Sequence, residues 1–295
     1  MRRSLSPELP QSDAPRGQAS RSVLLPGLCC QAAGGDPLWT DNITSAWYLL
    51  YVAAHLMDSV QDQDEPDDWW ADLGPGAALS VATGLFFSAT KALNNLINDP
   101  HTRHAAASII EDFSQSFLCM SGGQYRDLTQ PQPTLDQYWE VSSAKSGVFF
   151  ALACRAGARL ATHETQLLAA YGSFGQQIGA LVQIRDDLQD LIPPQASELP
   201  VWRRKLSRSL ATVYALEVLP PPQRERLQEC LAAVPFDLPA VENALGLIDQ
   251  SGAGLYLLVE MERHRSQGLE ALEQTSGRSP AIEMLVSFLN DLSKK

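Results

Sequence analysis

Between Pro37 and Leu292 the apolar residues recur at three- and four-residue steps, and Pro or Gly falls in the gaps. That period commits the chain to helices, because few stretches alternate as a half-buried strand must. In the first segment, 37–63, Trp47, Leu50, Tyr51, Ala54 and Met57 share a face, and Pro66 closes the run. Further helices are predicted near 76–98, 101–121, 134–161, 164–192, 203–219, 221–233, 239–249, 254–273 and 279–292. No repeat or low-complexity linker divides them, so one all-α domain is expected over 21–295. The Ser-, Pro- and Arg-rich start, 1–20, is expected to be a disordered tail.

The formal net charge of -12 argues against nucleic acid or an anionic membrane surface as a partner. No run of eighteen apolar residues predicts a transmembrane helix, and the start lacks the apolar core of a signal peptide. The five cysteines have no paired spacing. They read as reduced thiols, which implies a cytoplasmic protein.

Two carboxylate clusters carry the chemistry. "DSVQD" puts Asp58 and Asp62 one helical turn apart, and "RDDLQD" does the same for Asp186 and Asp190, with Asp187 beside them. Each cluster ends a long apolar helix, and Pro66 or Pro193 follows within a few residues. Like charges at this spacing repel, and the negative end of the helix adds to the cost unless a cation lies between them. Hard oxygen donors of this kind suit Mg²⁺, which keeps waters and bridges to phosphate oxygens. Two such ends facing each other would hold metal with a diphosphate between. Glu65, Asp67, Asp68 and Asp72, beyond the proline, read as solvated loop.

These residues resemble the trans-polyprenyl synthetases, class I isoprenoid enzymes related to farnesyl and geranylgeranyl diphosphate synthases. "DSVQD" resembles the first aspartate-rich motif, with Ser59 where a second Asp is usual, and "GALVQIRDDLQD" is similar to the second. "GGQYRDL", "AKSG", "RRKLSRSLATVYAL" and "SGAGLYLLVEMERHRSQGLEAL" resemble further segments in the family's order. The resemblance implies an isoprenoid-synthase-type helical bundle around a deep central cavity, a homodimer, and three Mg²⁺ ions with diphosphate. It implies Asp58, Asp62, Asp186 and Asp190 as metal ligands, with a lower claim for Asp187. Lys145, Gln183 and Lys205 would meet the diphosphate, Lys145 and Gln183 as catalytic groups. Ala54 and Ala53, four and five residues before Asp58, would form a floor low enough for a chain of C15 or longer. Phe86, Phe87, Phe149, Phe150 and Phe174 are candidates to face a carbocation, Phe86 and Phe149 foremost.

The pattern breaks where the family holds a second diphosphate. "GQASRS" has Gln18 and Ala19 where basic residues are expected, and "DEPDDWWADLGPG" has Asp and Trp in place of an arginine pair. From Ser22 to Thr90 there are nine acidic residues and no Lys or Arg. Desolvating a diphosphate without paired cations is prohibitive. The sequence thus favours ionisation of one allylic prenyl diphosphate by a terpene synthase. The alternative is a prenyltransferase, either chain-elongating or acting on a neutral acceptor. A third reading is a non-catalytic subunit of a heteromeric synthase.

Overall fold

The computed structural model describes residues 21–62, 74–130, 132–193, 199–233, 238–275, 277 and 279–294. The predicted tail and the acids from Glu65 to Asp72 lie outside them. Helices α1 (Leu25–Ala32), α2 (Asp41–Gln61), α3 (Gly74–Asn94) and α4 (Ala106–Thr129) lead to α5 (Leu135–Ser142). A π-helical turn, Ser143–Gly147, joins α5 to α6 (Val148–Arg159), and α7 (Thr165–Gln189) follows. The chain continues with α8 (Leu199–Arg208), α9 (Leu210–Val218), α10 (Pro221–Ala232) and α11 (Leu238–Gln250). Helices α12 (Ala253–Glu273) and α13 (Pro280–Leu292) end it. No strand occurs among the described residues, so the bundle is all-α as expected.

Helix α7 is central: α6 lies along one side and α12 along another, while α2 pairs with α3 at the flank. The core seats Trp47, Phe113, Tyr171 and Phe174, all almost fully enclosed. Glycine permits the tightest approach. A methyl on Gly179 of α7 would overlap the Ser146 carbonyl, so only hydrogen lets α7 lie against the π turn. Gly123 of α4 plays the same part from the other side, where a Cβ would come within 3.0 Å of Ala144 and 3.2 Å of Lys145.

Two predicted helices are in fact broken. The 134–161 run is interrupted by the π turn, whose extra residue re-aims the side chains around Lys145. The 203–219 run breaks at Ser209, whose backbone is extended and whose hydroxyl accepts from the Thr212 N–H to start α9. Conversely, α4 runs through Gly122 and Gly123, where the sequence predicts a stop; packing on the π turn overrides local propensity.

The expectation of no membrane-length segment also needs amending. By length and composition alone, residues 74–97 contain an 18-residue window apolar enough to cross a membrane, and 22% of that window is buried. It packs along α2 in the bundle.

Candidate active site

Both aspartate pairs close the last turn of a long helix. Gln61 ends α2 and Asp62 caps it, its N–H donating to the Asp58 carbonyl at 2.8 Å. Gln189 ends α7 and Asp190 caps it, its N–H donating to the Asp186 carbonyl at 3.2 Å. All four line one cavity of about 920 Å³. The two ends sense each other: the Asp186 charge helps burial lift the Tyr51 phenol of α2, and His55 of α2 in turn stabilises ionised Asp186.

Beside the first of these ends stands Lys145. Its Nζ donates to Asp127 Oδ2 at 2.6 Å and to Asp58 Oδ1 at 3.3 Å. Burial opposes its charge, but the two carboxylates outweigh burial and its pKa is raised. The lysine is therefore a fixed cation beside the first acid pair. Arg208, at the end of α8, reaches the same pair, with Nη1 3.6 Å from Asp62 Oδ1. Lys205 lines the cavity and its charge stabilises ionised Asp186.

The acids are poised for cations. Burial, then the Asp58 charge, pushes Asp62 up to about 6 against the pull of Lys145 and Arg208. Asp186 opens onto the cavity, yet the surrounding walls remove enough water to push it up to about 6 as well. Asp187 differs. It is 4% exposed and accepts from Tyr138 Oη at 2.5 Å, the Leu210 N–H at 2.7 Å and Gln183 Nε2 at 3.2 Å. Burial raises it to about 7 despite these bonds.

The predicted residues gather with three exceptions, Ala53, Phe87 and Phe174. Asp58, Asp62, Asp186, Asp190, Lys145, Gln183, Lys205, Ala54, Phe86 and Phe149 all line the cavity, as does Phe150. Ala53 does not. One residue along a helix rotates it by about 100°, and it packs with Ala78 and Ala82 of α3. Phe87 points outward at 72% exposure, and Phe174 is enclosed in the core. Gln183 reaches the cavity but is tied down, donating to Asp187 and accepting from Ser146 Oγ at 3.4 Å. Sequence reasoning passed over Arg208 and Asp127. Both lay within the quoted "RRKLSRSL" and "GGQYRDL", but only folding shows which members of those stretches turn inward.

The donors fit a hard divalent cation. They are all carboxylate oxygens, and the buried Asp62 Oδ1 receives no hydrogen bond. Among the described residues no three metal-type side chains converge on one point. An ion held by these carboxylates would take its remaining ligands from water and substrate oxygens, the habit of Mg²⁺.

The family model described as Polyprenyl synthetase matches residues 12–248. Over 275 residues the chain is 26% identical to the short chain isoprenyl diphosphate synthase of Methanothermobacter thermautotrophicus, covering 89% of this chain and 82% of that one. It is 26% identical to the tryptophan prenyltransferase ComQ of Bacillus subtilis over 151 residues, 51% of this chain and 48% of that one. Among solved structures, the geranylgeranyl pyrophosphate synthetase of Pyrococcus horikoshii superposes with a TM-score of 0.82 at 22% identity, over 95% and 86% of the two chains. The polyprenyl synthase of Caulobacter crescentus, complexed with calcium and isoprenyl diphosphate, gives 0.79 at 20% identity over 94% and 84%.

Proposed function

The chain belongs to the polyprenyl synthetase family, and on that premise we propose a Mg²⁺-dependent prenyltransferase that ionises an allylic diphosphate and delivers the prenyl group to an uncharged acceptor. The relatives reported above are named for prenyl transfer or prenyl diphosphate synthesis, which favours transfer over the cyclisation that the sequence alone suggested. One observation carries the choice of acceptor. Each cation lining the cavity already has a carboxylate as counter-charge: Lys145 beside Asp58 and Asp127, Arg208 beside Asp62, Arg126 beside Glu140 at 3.6 Å, and Lys205 acting on Asp186 through its charge. The described walls therefore offer no surplus positive charge for a second diphosphate.

Asp58, Asp62, Asp186 and Asp190 would hold Mg²⁺, which neutralises the diphosphate as its C–O bond breaks. Lys145, kept protonated by Asp58 and Asp127, is a preorganised donor to the departing oxygens. Arg208, beside Asp62, and Lys205, whose charge acts on Asp186, add positive charge. As the bond breaks, the electron pair leaves with diphosphate, and the allylic cation remains among Tyr51, Phe86, Phe117, Phe149 and Phe150, whose faces shield it from water. An acceptor π-bond or lone pair then supplies the electrons of the new bond, and its proton is lost. Ala54 leaves the end of the cavity open for a chain of C15 or longer.

Product analysis with the C10 to C25 allylic diphosphates tests this, each with no acceptor, with isopentenyl diphosphate, or with a tryptophan-containing peptide. Prenylated peptide supports the reading. A longer diphosphate made with isopentenyl diphosphate would overturn the acceptor assignment, and a hydrocarbon formed without acceptor would restore cyclisation. Acid weakens the metal requirement's fulfilment with a definite sign. Because Asp62 and Asp186 keep their protons until about pH 6, the half-saturating Mg²⁺ concentration is level above pH 7 and climbs about tenfold per pH unit, per proton displaced, below 6. A flat Mg²⁺ requirement between pH 5 and 7 would contradict this.

A homodimer belongs to the same proposal. The outer face of α3 exposes Leu79 and Phe87, and its Ser80, Thr83 and Ser88 hydroxyls donate to carbonyls of their own helix. The neighbouring α4 exposes Leu118 and Tyr125. Apolar surface with its hydroxyls already satisfied suits burial by a second copy. Light scattering should give twice the 32.2 kDa chain mass, and Phe87→Glu should halve it; a monomeric parent protein would rule the dimer out.

A further inference from the structure

The middle aspartate of the second cluster does a different job from its neighbours. The Asp187 carboxylate borders the cavity at 4% exposure and accepts three hydrogen bonds. Oδ2 accepts from Tyr138 of α5 and from the first N–H of α9, and Oδ1 accepts from Gln183. That N–H, on Leu210, is one of the unpaired donors every helix start presents, and a negative charge there also meets the positive end of α9. Two residues before it stands Arg208, facing Asp62 across the cavity. The junction Arg208–Ser209–Leu210 thus spans both acid clusters, touching the first through a side chain and the second through its backbone. Ser209, 2% exposed, locks the bend from within, its hydroxyl donating to the Leu206 carbonyl at 2.9 Å and accepting from the Thr212 N–H. On the other side, Gln183 carries the link to Ser146, next to Lys145 in the π turn.

We propose that Asp187 is a positioning residue: it pins the α8–α9 junction to α7 and so fixes Lys205 and Arg208, together with the π turn of Lys145, at the diphosphate. This deepens the prenyltransferase reading and rests on it, but the clamp itself can be tested without turnover. Metal ligation would compete with these bonds: Oδ2 already accepts two and Oδ1 one, although Asp187 borders the cavity.

Three variants decide it. In Asp187→Asn the amide oxygen can keep Leu210 and Tyr138 while Gln183 turns its own amide to accept, so the conservative change should restore most of the function. Its half-saturating Mg²⁺ should stay within about threefold of the parent, against a rise of tenfold or more in Asp186→Asn. Asp187→Ala and Tyr138→Phe should raise KM for the allylic diphosphate about tenfold, the equivalent of one hydrogen bond to a charged group, with a smaller change in kcat. Hydrogen exchange of the 206–212 amides should quicken in Asp187→Ala and stay at the parent rate in Asp187→Asn. If Asp187→Asn raises the Mg²⁺ requirement as far as Asp186→Asn does, Asp187 is a ligand and the proposal fails. Unchanged exchange at 206–212 in Asp187→Ala also overturns it. Should Asp187→Ala not fold, Tyr138→Phe reads the same clamp. A protein that turns over no allylic diphosphate leaves exchange as the judge, separating failure of the clamp from failure of the functional reading.

Discussion

Replacing Asp58 or Asp186 with alanine lowers turnover of an allylic diphosphate by roughly 10³-fold and leaves the metal-free protein no less stable. The loss follows from removing one side of a cation clamp: several kcal/mol of transition-state charge stabilisation disappears, at about 1.4 kcal/mol per tenfold. The stability side follows from where these residues sit. Both occupy the last turn of a helix, one turn before a second aspartate, so each bears repulsion from its neighbour and from the helix end. Burial pushes the Asp186 carboxyl up to about 6, so the fold disfavours its charge, and loss of the partly exposed Asp58 leaves Lys145 its shorter contact, 2.6 Å to Asp127. Single-turnover kinetics beside thermal melts of the metal-free variants read both quantities. Turnover within threefold of the parent would remove these carboxylates from the chemistry.

Lys145→Met carries the second large effect, a fall in kcat of roughly 10²–10³-fold, the usual cost of deleting one preorganised donor to a developing anion. Here stability moves the other way. The lysine is the shared counter-charge of Asp58 and Asp127, and its removal leaves Asp127 without its 2.6 Å partner. The melting temperature falls, whereas in the aspartate variants it holds or rises. Lys145→Arg does not rescue, because the guanidinium is wider than an ammonium and the turn that carries it is closed in by Gly123 and Gly179. Full activity of the arginine variant would show that only a diffuse positive charge is needed.

Much of this site could be read before folding. The 3.6-residue period located the long helices, and the i, i+4 spacing marked both aspartate pairs as shared faces at helix ends, where Asp62 and Asp190 do sit as caps. What escaped depended on contacts between distant segments. The π turn is invisible to periodicity, because it arises where α4 and α7 press on residues 143–147 through their glycines. Ala53 and Ala54 are equally small and apolar, so only the position of α3 decides that one packs and the other faces the cavity. Asp187 resembled its neighbours in sequence, yet Tyr138, 49 residues away, and Leu210, 23 residues on, claim its oxygens. Arg208 and Asp127 were hidden for the same reason. Charge in a motif shows that a stretch is polar, and tertiary structure selects which member meets the substrate.

The most direct test is a crystal structure grown with Mn²⁺ in place of Mg²⁺ and an unreactive thio-linked allylic diphosphate, with the metal located by its anomalous scattering. The account predicts ions on the diphosphate, touching Asp58 or Asp62 on one side and Asp186 or Asp190 on the other, with Lys145 donating to the same group. Ions confined to one acid pair, or a diphosphate seated away from both, would contradict it.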